Sequence, residues 1–184
     1  KNVNAWYIGP PKIEAEVFDG DTISVAEGAS VNFNTITFNP HAHGTHTETL
    51  GHISEKSYPI TKQLKQSFFL AEVISVAPEK LMKDNVISAK QLQFAIGNKK
   101  RDALVVRTLP NMKDKKTMQY SNTNWVYFTE DAIQLLVKKG INHLLIDLPS
   151  IDREKDGGEL RGHNAFWNTS GQPRLNATIT EFIY

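Results

Sequence analysis

A chain of 184 residues with 40% hydrophobic and 22% charged content is long enough for one core-forming domain and too apolar for intrinsic disorder. With 21 Lys and Arg against 20 Asp and Glu, the net charge of +1 argues against a nucleic-acid or membrane surface as the main partner. The absence of cysteine excludes disulfides and thiolate ligands, so any transition metal must be held by histidine and carboxylate.

No apolar run approaches the roughly 20 residues needed to span a bilayer, and the expected setting is a reducing compartment, the cytoplasm. The chain is expected to be a single domain over residues 1–184. It starts at Lys1 rather than Met, and Tyr184 closely follows a strand-like run, Ala177 to Ile183, so residues are expected to be missing at both termini. The basic runs Lys99-Lys100-Arg101 and Lys113 to Lys116 read as solvated loops.

In chain order, the N-terminal quarter reads as strand and turn. Asp19-Gly20-Asp21 and Glu27-Gly28 are turn signals, and Ser30 to Phe38 is rich in β-branched and aromatic residues. Pro40 stops that strand. Phe68 to Val76 is a candidate buried strand. Ser88-Ala89-Lys90-Gln91 has the form of a capping box, which predicts a helix from Ser88 to about Ile96, ended by Gly97. Ala103 to Val106 is a strand. Thr129 is placed to cap a helix whose first turn carries Glu130 and Asp131 and whose apolar face carries Ile133, Leu135, Leu136 and Val137, with Gly140 just past its end. Asn142 to Leu148 is the next strand. Strand, helix, strand at this spacing predicts a βαβ unit with a parallel pair. The fold class is therefore α/β with a β-rich N-terminal half.

Four of the six histidines fall within His41-Ala42-His43-Gly44-Thr45-His46-Thr47-Glu48-Thr49-Leu50-Gly51-His52. The alternating threonines and Gly44 predict extended or turning backbone rather than helix. In an extended stretch, residues two apart share a face, so His46 and Glu48 offer an imidazole and a carboxylate to one ion. His52 lies one short turn further on, with Gly51 permitting the turn. Such a set suits Zn²⁺, Mn²⁺ or Fe²⁺, and without cysteine it is more typical of a catalytic than of a structural site.

The segment resembles the signature of the metal-dependent cyclase-like hydrolases, which include bacterial kynurenine formamidase (arylformamidase) and isatin hydrolase. Their pattern is His-x-Gly-Thr-His-x-Asp-x-Pro-x-His. Gly44, Thr45, His46 and His52 match it; Glu48 stands where the pattern has Asp, and Leu50 where it has Pro. Ala42 occupies the position of the first histidine, so His41 or His43 must replace it, through a one-residue bulge; His41, directly after Asn39-Pro40, is the preferred choice. Downstream, Asp147-Leu148-Pro149-Ser150-Ile151-Asp152 resembles the family's Asp-x-x-Ser-x-Asp. His163 and Glu181 fall where the family places a further metal-binding His and Glu. A carboxylate inside an apolar strand such as Glu181 also needs a partner on physical grounds.

The resemblance implies a swivelling β/β/α fold, one or two ions of Zn²⁺ or Mn²⁺, and a homodimer or homotetramer. It implies one ion on His41, His46 and Glu48, and a second on Glu48, His163 and Glu181. His52 is the candidate general acid/base, with a ligand role also open. The implied reaction is hydrolysis of an amide, N-formylkynurenine to kynurenine and formate, with an aromatic small molecule as partner. The alternatives are hydrolysis of another cyclic amide, imide or ester, and a metal-binding protein without catalysis. Asp147, at the end of an apolar strand, is open between an active-site and a local structural role. His143 reads as structural. Trp6, Tyr7, Phe166 and Trp167 are open between pocket lining and core.

Overall fold

The computed structural model describes residues 2–184. An N-terminal arm holds strands β1 (Lys12–Ala15), β2 (Val17–Phe18), β3 (Asp21–Thr22) and β4 (Asn34–Thr37). Then come the helical turn α1 (Pro40–His43), β5 (His46–Glu48), α2 (Ile60–Gln63), β6 (Ala71–Val76), β7 (Glu79–Leu81), β8 (Asp84–Ile87) and α3 (Ala89–Ile96). The second half holds β9 (Ala103–Thr108), β10 (Tyr127–Phe128), α4 (Glu130–Lys138), β11 (His143–Ile146), α5 (Arg161–Trp167) and β12 (Thr178–Glu181).

The central sheet has the order β5-β12-β11-β9-β6. Its strands β6, β9, β11 and β12 are parallel, and β5 runs antiparallel on β12. The expected βαβ unit is β9-α4-β11. Parallel neighbours need a crossover, and the chain makes three, carrying α3, α4 and α5. Leu92, Ile96, Ile133, Leu136, Phe166 and Trp167 of these helices pack on Val76, Leu104, Val106, Leu144, Ile146 and Ile179 of the sheet. Mixed α/β architecture with a β-rich front is thus as the sequence predicts.

The helix boundaries follow their local signals. Ser88 Oγ accepts from the Gln91 amide while Gln91 Oε1 accepts from the Ser88 amide, so the capping box closes. Gly140 takes φ of +78°, the left-handed conformation that ends α4. Thr129 occupies the cap position of α4, but its side chain makes no capping bond there.

Two expectations change. Phe68 to Val76 is not a buried strand: β6 begins at Ala71, lies at the sheet edge, and buries only Ile74 and Val76, while Phe68, Leu70 and Val73 are exposed. An apolar run shows that a strand forms but not whether a neighbour covers it. The backbone from Pro40 to His43 is a helical turn rather than an extended bulge. Proline has no amide hydrogen to lose in a first helical turn, so Pro40 opens this one.

Among the described residues, no helix is long and apolar enough to cross a membrane.

Candidate metal centre

The site lies at the carboxyl ends of β11 and β12, where parallel α/β sheets place their ligands. The β5–β12 register sets its first part: His46 is opposite Glu181, and Glu48 is opposite Ile179. Directly opposed residues in an antiparallel pair share a face, as do residues two apart in one strand. His46, Glu48 and Glu181 therefore converge, with His46 Nε2 3.2 Å from Glu48 Oε1 and 3.4 Å from Glu181 Oε2. The Gly44 carbonyl, 3.0 Å from His46 Nδ1, fixes that ring as the Nδ1–H tautomer and turns Nε2 to the carboxylates.

The turn α1 brings His41 in from the other side, its Nδ1 2.7 Å from Glu48 Oε1. His43, one face round, points away: its Nδ1 accepts the Asn39 amide and its Nε2 donates to the Gly9 carbonyl, both at 2.9 Å. The helical turn, not a bulge, separates the two histidines.

After β5, Thr49 caps the turn Leu50–His52, accepting from the Gly51 amide at 3.3 Å. A Cβ on Gly51 would stand 3.0 Å from the Tyr58 backbone nitrogen, so glycine is needed here for close approach rather than for turning. His52 is thereby held 3.5 Å from Glu48 Oε1, stacked 4.7 Å from the His41 ring.

The last histidine comes from α5. His163 Nε2 lies 3.5 Å from Glu48 Oε2, and the residue is almost wholly buried. Its orientation is set by Asp152, a residue to which the sequence alone assigns no role. Asp152 Oδ2 accepts from His163 Nδ1–H at 2.6 Å and from the His163 amide at 3.1 Å, while Oδ1 accepts from the Gly162 amide at 2.6 Å. A Cβ on Gly162 would sit 2.8 Å from Asp152 Oδ1, so glycine is what lets this carboxylate reach the start of α5. The available signal was the Asp two residues after Ser150 together with a glycine directly before His163.

The electrostatics follow from six groups sharing one small space. Burial works against a charged His46, but Glu181, Glu48 and the Gly44 carbonyl raise its pKa from 6.5 to about 10. Burial is likewise outweighed at His163, where Asp152 and Glu48 raise it to about 10. Glu181, buried and facing the Glu48 charge, is pushed up to about 7. Burial also opposes ionisation of Glu48, yet His163, His41 and His46 hold it well below the usual carboxylate range. His52 is pushed below its ordinary value chiefly by burial.

Five buried side-chain atoms among the described residues have no hydrogen-bond partner. Three belong to this cluster (Glu48 Oε2, His163 Nε2, Glu181 Oε1), and a fourth, Asn39 Oδ1, belongs to a residue lining the same cavity. An unsatisfied buried polar atom costs about 1–3 kcal/mol, and a cation would satisfy the three in the cluster at once. Two ligand groups have their donor atoms within 4.8 Å of one another: His41, His46 and Glu48; and Glu48, His52 and His163. The first is the set the family resemblance implies. In the second, His52 stands where that resemblance placed Glu181, whose carboxylate instead closes on His46. The residues present fit a divalent ion.

A cavity of about 310 Å³ opens onto the cluster. Trp6, Ile8 and Leu160 supply apolar wall, and Asn39, Ser150, His41 and His52 supply polar wall. Of the aromatic residues left open by sequence, Trp6 lines it; Phe166 and Trp167 are fully buried in the core, and Tyr7 is exposed with its hydroxyl on Glu154. Asp147 is structural: it accepts from the Thr108 amide and hydroxyl and pairs with Lys115 Nζ at 2.7 Å. His143 is held by Thr178 Oγ1 at 2.8 Å, away from the cavity.

The model of the cyclase family ("Putative cyclase") matches residues 2–153, most of the chain. The chain belongs to the cyclase family. Solved structures similar to it include a predicted metal-dependent hydrolase from Bacillus stearothermophilus, at 16% identity and TM-score 0.58, over 94% of this chain and 70% of that one. An isatin hydrolase bound to the product analogue thioisatinate matches at 14% identity and TM-score 0.62, over 98% of this chain and 74% of that one. Isatin hydrolase A from Labrenzia aggregata bound to benzyl benzoate matches at 12% identity and TM-score 0.62, over 99% of this chain and 79% of that one. At such identities the likeness concerns the fold. No curated protein matches the chain in sequence.

Proposed function

We propose that this cyclase-family chain is a metal-dependent hydrolase that cleaves an amide bond beside an aromatic or cyclic apolar group. The observation that carries the proposal is the convergence of His41, His46, Glu48, His52, His163 and Glu181 on one cavity, with three buried donor atoms that nothing in the protein satisfies. His41, His46 and Glu48 would hold one ion, Zn²⁺ or Mn²⁺, and Glu48 with His163 and Glu181 or His52 would hold a second. An ion so held supplies Lewis acidity toward an acyl oxygen and lowers the pKa of water from 15.7 to roughly 7.

The protein's own groups do the rest. Trp6, Ile8 and Leu160 take the apolar part of the substrate and keep bulk water from the acyl carbon. His52, partly exposed and neutral because burial lowers its pKa, takes the proton of the attacking water and returns it to the nitrogen as the C–N bond breaks. Asp152 keeps the His163 ring turned toward Glu48. No serine or cysteine nucleophile is required.

The first substrate reading is N-formylkynurenine, cleaved to kynurenine and formate. A second, a cyclic amide, imide or ester, is favoured by Glu48 and Leu50, where the related pattern has Asp and Pro, and by the isatin hydrolases among the structures that share the fold. Metal content of the purified protein, with hydrolysis of N-formylkynurenine and of isatin with and without chelator, tests both. Chelator-sensitive release of formate supports the first, and chelator-sensitive ring opening of isatin the second. Stoichiometric metal with turnover of neither moves the search to other cyclic amides and esters. Protein that takes up neither Zn²⁺ nor Mn²⁺ refutes the proposal, and with it the third reading of a metal-binding protein without catalysis.

A further inference from the structure

Left-handed backbone is costly for a bulky side chain, and where it persists the surrounding structure must hold it. Of the three apolar residues that wall the cavity over the metal cluster, two stand in that region: Trp6 at φ +61° and Leu160 at φ +46°. Tyr7 follows Trp6 at φ +60°, and among the described residues these two form the only consecutive non-glycine pair of this kind. Neither wall is kept in place by the preference of its own backbone, so other groups must fix it.

Those groups come from one loop. Carboxylates alternate with bases in Asp152-Arg153-Glu154-Lys155-Asp156. Asp152 turns the His163 ring toward Glu48. Glu154, two residues on and also buried, accepts from the Tyr7 hydroxyl and the Asn124 amide, both at 2.7 Å, and from the Asn122 amide. The Tyr7 amide donates to Ser121 Oγ at 2.9 Å, and the Lys155 ammonium lies 5.8 Å from the centre of the Tyr7 ring. With Tyr7 clasped in this way, Trp6 sets its ring edge-on to Trp125 at 4.8 Å, and the Trp125 indole N–H donates to the Asp152 carbonyl at 3.0 Å. Asp156 takes the other wall, accepting from the Leu160 and Gly158 amides, each at 2.8 Å.

We infer that Glu154 and Asp156 are positioning residues for the substrate cavity: through Tyr7, and through the Leu160 amide, they fix the two strained walls against which an aromatic or cyclic apolar group lies. The inference rests on the reading that this cavity takes such a group. One stretch of five residues then orients both a histidine of the metal cluster and the walls beside it, so the apolar group and the reacting bond are placed together. A wall free to leave its place receives the ligand only for the fraction of time it is in place, and the apparent dissociation constant rises by the inverse of that fraction. A Trp6 kept in place about one-tenth of the time, once the Tyr7–Glu154 bond is lost, weakens binding about tenfold.

The probes are kynurenine and isatinate (the ring-opened form of isatin), products of the two substrate readings and therefore not consumed. Titration calorimetry on the full chain with Zn²⁺ added reads their binding to wild type, Tyr7→Phe, Asp156→Ala, Trp6→Ala and the double variant W6A/Y7F. Unchanged circular dichroism and Zn²⁺ uptake verify that each variant folds. Tyr7→Phe and Asp156→Ala are each expected to weaken binding of the bound product about tenfold, and W6A/Y7F to bind no more weakly than Trp6→Ala. With a substrate that turns over, KM should rise by the same factor while kcat moves less than about twofold. A single variant that binds within about twofold of wild type overturns the role of its carboxylate. Tyr7→Phe costing as much without Trp6 as with it makes the Glu154 bond merely structural and overturns the inference, as does a wild type that binds neither product. Binding that both variants weaken, in protein without hydrolytic activity, refutes the hydrolase reading and leaves the positioning role; hydrolysis with KM unchanged in both variants does the reverse.

Discussion

Asp152→Asn tests most directly whether the site is built to hold a cation. The wild-type carboxylate accepts three N–H groups, from the Gly162 amide, the His163 amide and His163 Nδ1. A carboxamide keeps one acceptor oxygen, which can stay on the Gly162 amide, and turns an NH₂ toward the two remaining donors. Losing two bonds to a charged acceptor is worth about 3–6 kcal/mol before relaxation. If half of that is recovered by rotation of the ring, about 1.5–3 kcal/mol of stability remains lost, or a drop of roughly 3–12 °C in melting temperature for a domain of this size. The metal effect is separate. A His163 ring free to rotate presents Nε2 to Glu48 only part of the time, and loss of such an orienting partner lowers metal affinity or activity about 10–100-fold. Competition against a chromophoric chelator reads the affinity, and scanning calorimetry of chelated protein reads the stability. A variant that melts lower but binds Zn²⁺ or Mn²⁺ within about twofold of wild type would refute the orienting role and leave Asp152 as a helix cap alone.

Three further outcomes are expected. His46→Ala should abolish metal uptake, whereas His52→Ala should retain metal and lose about 10²–10⁴-fold in kcat; loss of metal from His52→Ala would instead make His52 a ligand, as its grouping with Glu48 and His163 allows. For chelated protein, the raised pKa values of His46 and His163, about 10 against 6.5, contribute stability that is full below pH 6.5 and lost as pH rises toward 10. Glu181, at about 7 against 4.5, starts that decline between pH 4.5 and 7, and depressed Glu48 adds a loss as pH falls below 4.5. The melting temperature without metal should therefore fall between pH 7 and 9, with added metal stabilising most at the upper end; a rise over that range without metal contradicts the cluster's electrostatics. Gly51→Ala should destabilise by about 1–3 kcal/mol, because its Cβ meets the Tyr58 backbone rather than a movable side chain; a melting temperature equal to wild type would show that the segment yields.

What could be read from sequence was whatever a short stretch decides within itself. Ser88 and Gln91 close their capping box because both partners lie within one helical turn, and Gly140 ends α4 because only the local backbone constrains it. His46 and Glu48 share a face because β geometry alternates with period two, whatever the strand pairs with. The clustering of histidine with carboxylate in a cysteine-free chain pointed to a metal before any fold was known. The sequence preferred His41 over His43 but left both open, because what separates them is the helical turn that Pro40 opens in place of the expected bulge.

Tertiary structure decided everything that joins distant segments. The pairing of His46 with Glu181 is a matter of β5–β12 register across more than 130 residues, and Asp152 reaches His163 only because Gly162 leaves room for it. Phe68 to Val76 reads as a core strand by hydrophobicity alone, yet it lies at an edge, since strand order is set by crossovers and not by the strand's own residues. The same reason applies to Glu154: local sequence determines that carboxylates alternate along its loop, and only the packed chain determines that this one meets Tyr7, 147 residues away.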